Sequence, residues 1–129
     1  LRNDSGKFEC NFINVTIEES PSVFLRALQG SRLGIWVAHG EGKFAFPCNG
    51  DGFAVAARYS YDSYPANPNG SPGAVAAVTS ACGRHLAMMP HPERCIYPWN
   101  WALYPAERTA DEVSPWLSMF IEARRFCMT

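Results

Sequence analysis

In the segment Met89-Pro90-His91-Pro92-Glu93-Arg94 a histidine and a glutamate stand two positions apart, with a proline on each side of the histidine. Met89 and His91 each precede a proline, and the proline ring disfavours helical backbone in the residue before it. In an extended segment positions i and i+2 project to one side, about 6.5–7 Å apart between Cα atoms, so the Glu93 carboxylate can reach the His91 imidazole. A carboxylate on one ring nitrogen fixes the tautomer and leaves the other nitrogen free to serve a nucleophile, as in a Cys-His-Glu triad. The pattern supplies base and acid and lacks the nucleophile. Spacing alone favours a plain polar pair on a loop over a catalytic one, because an H-x-E pattern is short.

Five cysteines, Cys10, Cys48, Cys82, Cys95 and Cys127, are odd in number, widely spaced and without a C-x-x-C pair. That argues against a disulfide framework or a zinc ribbon and for a reducing, cytoplasmic setting. Cys95 lies near His91 and Arg94, where a thiol could have a lowered pKa and oxidise readily, against the plainer reading of an inert residue. Cys10, Cys82 and Cys127 read as structural. His39 follows an apolar run and opens His39-Gly40-Glu41-Gly42, which suggests the wall of a pocket; His85 reads as a surface or packing residue. No spacing among His39, His91, Glu93 and Cys95 matches a zinc, iron or EF-hand site, so no metal is expected. Arg94 can pair with Glu93, dock on another domain or stay solvated.

The elements that must position these residues are mostly strands. Ile13, Val15 and Ile17 alternate with polar neighbours across Phe8 to Ile17, the period of a half-buried strand. Pro21 to Gln29 suggests a short helix, with Ser20 as N-cap and Gly30 closing it. Leu33 to Ala38 is a strand that ends at His39, Lys43 to Phe46 can return from it, and Phe53 to Tyr61 is a further strand. Tyr64 to Gly73 holds three prolines and two glycines and is either an ordered turn-rich loop or a flexible linker. Ala74 to Ser80 and His85 to Met89 form a hairpin around Ala81-Cys82-Gly83-Arg84, where Gly83 supplies a positive φ. Beyond Pro90 the chain is irregular and aromatic; Tyr97, Trp99, Trp101 and Tyr104 form either an interface or a self-packed loop. A final helix is capped by Ser114 and opened by Pro115, with Trp116, Met119, Phe120, Ala123 and Cys127 on one face.

The whole chain is 129 residues, enough for one domain or part of one, and 47% hydrophobic. A net charge of −1 gives no basic field for nucleic acid. No apolar run approaches the roughly 20 residues of a membrane span. The start, Leu1-Arg2-Asn3-Asp4-Ser5, lacks the layout of a signal peptide and reads as an internal position of a longer sequence.

Four ordered segments carry a family resemblance. Met88 to Arg94 resembles the C-terminal signature of the glutaminase domain in phosphoribosylformylglycinamidine synthases. Arg2 to Cys10 resembles that family's Asn-x-Ser-Gly-Arg-Phe-Glu segment, Ala38 to Gly42 its His-Gly-Glu-Gly strand end, and Tyr64 to Pro72 its Asn-Pro-Asn-Gly-Ser loop. The resemblance covers essentially the whole chain. It implies an α/β fold, the C-terminal portion of a flavodoxin-like class I glutamine amidotransferase domain. That portion should be strand-rich, with part of the parallel sheet, antiparallel additions and a C-terminal helix. By the same resemblance His91 is the general base, Glu93 its orienting acid, and Ala38, His39 and Gly40 wall the glutamine pocket.

The family's nucleophile sits in a Gly-x-Cys-x-Gly elbow upstream of the segment with which this chain begins. Cys48-Asn49-Gly50 echoes that elbow only in part, because Phe46 stands where the tight turn needs its first glycine. Residues 1–129 are therefore expected to be a partial glutaminase domain, inactive alone. The resemblance implies glutamine and the remainder of the parent synthase as partners. ATP and magnesium are implied for a separate synthetase region and no cofactor for this chain. An unprotected sheet edge or face is expected, and a homodimer is one way to cover it. Two other readings stay open: a fragment of a non-catalytic amidotransferase-like interaction protein, and a self-contained binding domain of similar architecture.

Overall fold

The computed structural model describes residues 1–47 and 52–129. Five strands, β1 (Glu9–Ile17), β2 (Arg32–His39), β3 (Phe53–Tyr59), β4 (Val75–Ser80) and β5 (Leu86–Met88), form one sheet in the order β2-β1-β3-β4-β5. The one α-helix among the described residues, α1 (Leu117–Cys127), lies near the C-terminus. The strand-rich layout with a terminal helix is the expected one. All four strand pairings are antiparallel, so the parallel part of the sheet is not among these strands.

The β1–β2 pairing is long and regular, from Glu9 opposite His39 to Thr16 opposite Arg32. Alternation puts Ile13, Val15 and Ile17 of β1 and Leu33, Ile35 and Val37 of β2 on one buried face. Ala56, Ala57 and Tyr59 of β3 and Val75, Ala76 and Ala77 of β4 continue the core. Small side chains there let Leu25, Leu28 and the fully buried Trp116 close over the sheet.

The β4–β5 hairpin forms as expected. Gly83 has φ +72°, and a Cβ there would lie 1.9 Å from the Pro21 carbonyl oxygen, so that turn needs glycine. The same contact explains why Pro21 to Gln29 is not the expected helix and forms only a 3-10 turn at Arg26–Leu28. Its backbone is drawn to the hairpin: the Val23 N–H donates to the Gly83 carbonyl at 3.0 Å. The side chain of Ser20, the expected cap, makes no hydrogen bond among the described residues. Lys43 to Phe46 is likewise no strand. Its donors go elsewhere, Lys43 N–H to the Leu1 carbonyl and Phe44 N–H to Ser71 Oγ.

The proline-rich segment is ordered. Asn67, Pro68, Asn69 and Ser71 are buried, and the Tyr64–Pro65 peptide is cis. No helix among the described residues is long and apolar enough to cross a membrane.

Candidate active site

His91 and Glu93 meet as the types and spacing predict: His91 Nδ1 lies 2.7 Å from Glu93 Oε1. The local backbone differs from the extended segment expected. Pro92–Arg94 is a 3-10 turn with His91 as its N-cap, closed by the Cys95 N–H on the Pro92 carbonyl at 2.9 Å. Pro92 favours this, since its fixed φ suits the first position of a helical turn and its missing N–H is not needed there. Glu93 therefore reaches back over one turn. Ionised, its carboxylate only accepts, so Nδ1 carries the hydrogen and Nε2 keeps its lone pair.

The pair is held in place from behind. The His91 N–H donates to the Trp36 carbonyl at 2.8 Å, which pins the turn to the open edge of β2 as an isolated bridge. Downstream, the Trp101 indole N–H donates to the Cys95 carbonyl at 2.9 Å, and Ser114 Oγ–H donates to that same oxygen. The Trp116 indole N–H reaches the Gly34 carbonyl at 2.8 Å, and the Trp36 indole N–H the Asn100 carbonyl at 2.6 Å. Two indoles, Trp36 and Trp116, thus tie the C-terminal part of the chain to β2, while Trp101 closes the irregular segment on itself. Trp101 belongs to the self-packed part, edge-on to Tyr104 and against Phe12. Tyr97 and Trp99 stack on each other and stay exposed.

At the end of β2, Ala38 and Gly40 are half-buried and His39 is buried. Sequence reasoning missed what fixes them. Asn3 is buried and makes four hydrogen bonds: Nδ2 donates to the Lys7 carbonyl (2.9 Å) and the His39 carbonyl (2.7 Å), while Oδ1 accepts from Gly42 N–H and from His39 Nδ1, each at 3.1 Å. Because both Asn3 N–H groups serve carbonyls, its oxygen faces the ring and His39 carries its hydrogen on Nδ1. A second clamp comes from Asn69, whose Nδ2 donates to the Gly42 carbonyl (2.7 Å) and to Tyr59 Oη (2.9 Å). Burial holds the Tyr59 phenol well above its ordinary range. The only sequence signal for either clamp was the resemblance of the two Asn-containing segments.

Burial, the largest cause, holds the His39 pKa below its ordinary 6.5, with His91 adding to the shift and a backbone hydrogen bond and Glu9 opposing it. His39 is therefore neutral at pH 7. Its Nε2, and Oε1 of the buried Glu9, have no hydrogen-bond partner among the described residues. Each such orphan costs about 1–3 kcal/mol.

Of the two readings of Cys95, the inert one agrees with the structure. Cys95 is fully buried, and burial pushes its thiol up to about 11, so proximity to His91 and Arg94 does not activate it. Cys10, Cys82 and Cys127 are exposed, and none is hydrogen-bonded to His91. Cys48 lies outside the described residues. Arg94 stands 3.9 Å from Glu93, a loose, solvated contact, and His85 is exposed. No cluster of three or more His, Cys, Asp or Glu side chains suited to a metal occurs among the described residues.

Comparison with known proteins agrees with this layout. The family model of the CobB/CobQ-like glutamine amidotransferase domain matches residues 1–127. The chain is 46% identical over 138 residues to a probable phosphoribosylformylglycinamidine synthase, chloroplastic/mitochondrial, of Arabidopsis thaliana, a match covering 96% of this chain and 10% of that protein. It is 41% identical to the Homo sapiens phosphoribosylformylglycinamidine synthase, over 98% of this chain and again 10% of the relative. The chain thus spans about a tenth of the length of these curated relatives. Among solved structures, a chain of PurLQS from Thermotoga maritima superposes with a TM-score of 0.73 at 27% identity, covering 98% of this chain and 51% of that one.

Proposed function

Because the chain belongs to the CobB/CobQ-like glutamine amidotransferase domain family, we propose that it is the part of a phosphoribosylformylglycinamidine synthase's glutaminase domain that supplies base and orienting acid. The observation that carries this reading is the 2.7 Å contact of His91 Nδ1 with Glu93 Oε1, set on the edge of β2. His91 Nε2 takes the proton of a cysteine thiol, which the family places in a Gly-x-Cys-x-Gly elbow, and the resulting thiolate attacks the side-chain amide carbon of glutamine. His91 Nε2 hands a proton to the leaving nitrogen, ammonia departs, and a thioester remains. His91 then takes a proton from water, which hydrolyses the thioester to glutamate. Glu93 holds the ring and stabilises the imidazolium at both steps. Ala38, His39 and Gly40 wall the glutamine pocket.

In this reading the ammonia passes to the rest of the synthase, where ATP and magnesium drive amidination of formylglycinamide ribonucleotide in purine synthesis. No residue described here is assigned to those groups. A cytoplasmic setting suits the free thiols of Cys10, Cys82, Cys95 and Cys127, while the Arabidopsis relative is named chloroplastic/mitochondrial. A built His–Glu pair counts against a non-catalytic interaction protein.

The test is His91→Ala in the parent synthase, assayed with glutamine and separately with ammonium chloride as nitrogen donor. The expected result is loss of glutamate release and glutamine-driven amidination, with ammonium-driven amidination kept. Undiminished glutamate release would overturn the assignment.

A further inference from the structure

Glu9 and His39 stand directly opposite each other in the β1–β2 register, so their side chains share one face of the sheet with Cβ atoms about 4.5–5.5 Å apart. Both are more than nine-tenths buried. Each presents one bare acceptor, Glu9 Oε1 and His39 Nε2, without a hydrogen-bond partner among the described residues. Two acceptors cannot satisfy each other, and buried polar atoms are nearly always paired, so the two side chains call for a shared N–H or O–H donor.

The rest of the arrangement is built and rigid. Asn3 Oδ1 fixes the His39 tautomer through Nδ1, and Gly42 lies flat on the ring, where a Cβ would come within 2.7 Å of it. Asn11 Nδ2 donates to Glu9 Oε2 at 3.3 Å and leaves Oε1 over. A carboxylate beside a neutral imidazole favours a cation, and the small exposure of both residues favours one the size of a water molecule over a long side chain. An imidazole lone pair favours an N–H donor over a bare alkali ion of the same size.

We propose that Glu9 and His39 form a binding site for ammonium, held by N–H bonds to Glu9 Oε1 and His39 Nε2. This deepens the reading above and rests on it for biological purpose: a glutaminase liberates nitrogen that water protonates to ammonium, and this site lies at the end of the strand whose edge carries His91.

The experiment is a titration of the parent synthase, labelled at its histidine nitrogens, with ammonium chloride, following the His39 Nε2 resonance, against potassium chloride at equal ionic strength. A saturable Nε2 shift with ammonium and little or none with potassium is expected, and Glu9→Gln should weaken binding at least tenfold with the other histidine resonances unchanged. The comparison of the two ions in the unaltered synthase decides the matter even if that variant misfolds. Equal responses to both ions, or none to ammonium, would overturn the site. Loss of glutaminase activity in His91→Ala with no ammonium response would sink this proposal alone, whereas ammonium binding in a protein whose His91→Ala form still releases glutamate would sink only the functional reading.

Discussion

Glu93 makes one close contact with His91 and one loose contact with Arg94, and both lie on a solvent-facing turn. Such a pair adds little to stability, typically below about 1 kcal/mol. Its consequence is orientation. In the proposed reaction, Glu93→Gln keeps an oxygen able to accept from Nδ1 but loses the charge that would stabilise the imidazolium of each half-reaction. We therefore expect Glu93→Gln in the parent to lower glutamate-forming kcat by about 100- to 10,000-fold, with KM for glutamine and melting temperature nearly unchanged. His91→Ala should cost at least as much, and the two together little more, because members of a triad act as a unit. Steady-state kinetics of the two single variants and the double variant check this. Additive losses would mean that Glu93 acts independently of His91.

At the scale of elements, the sheet cannot hold the His91 turn without the tail that covers it. Trp116 has no exposed surface and donates its indole N–H to the Gly34 carbonyl. Trp116→Ala should destabilise the chain by about 3–5 kcal/mol, and Trp116→Phe, which keeps most of the volume but orphans that carbonyl, by about 1–3 kcal/mol. Urea unfolding of both variants measures this, and equal losses would refute the division between packing and hydrogen bond. Helix α1 is fastened by Glu122, buried under Arg26 and Arg125; the hydrogen bond from Arg26, then that from Arg125, holds its carboxyl below the ordinary 4.5. A lowered folded-state pKa means that the contribution is fully present above pH 4.5 and fades as pH falls through the folded value. Melting curves should therefore show the native chain losing an advantage over Glu122→Gln below pH 4.5, and a constant difference would contradict the assignment.

Much of this was legible in the sequence, for physical reasons that also mark the limit. Alternating Ile13, Val15 and Ile17 and the glycine turn at Gly83 are local signals, so β1 and the hairpin followed from them. Pro21 to Gln29 carried helix punctuation, yet its backbone is drawn off by a turn some sixty residues later, at Gly83. The His91–Glu93 pair was legible because its partners are two apart. Glu9 with His39, and Asn3 with both His39 and Gly42, were not, since strand register between positions about thirty or more apart leaves no mark on either segment alone.

At the scale of the whole molecule, the described residues include several large apolar side chains that are strongly exposed. Leu103, Met128, Trp99 and Phe8 are 81%, 75%, 73% and 68% exposed, and Tyr97 stacks on Trp99 in the open. On the side of β2 away from β1 the His91 bridge is joined by no further strand among the described residues, and β5 ends the other side of the sheet after three residues. Exposed apolar area and open strand edges drive association, so sedimentation of the purified chain should show concentration-dependent self-association that weakens when Trp99 and Leu103 are changed to polar residues. A monomer at all concentrations would contradict that. The same layout bears on activity. Cys95 is buried with a raised pKa, and none of the other described thiols is hydrogen-bonded to His91, so the base has no described nucleophile to act on. We expect the isolated chain to release no glutamate from glutamine above the buffer rate, and Cys48→Ser to change nothing. Glutamate release by the chain that disappears in Cys48→Ser would make Cys48 a nucleophile and overturn the proposed division of labour between this chain and the rest of the synthase.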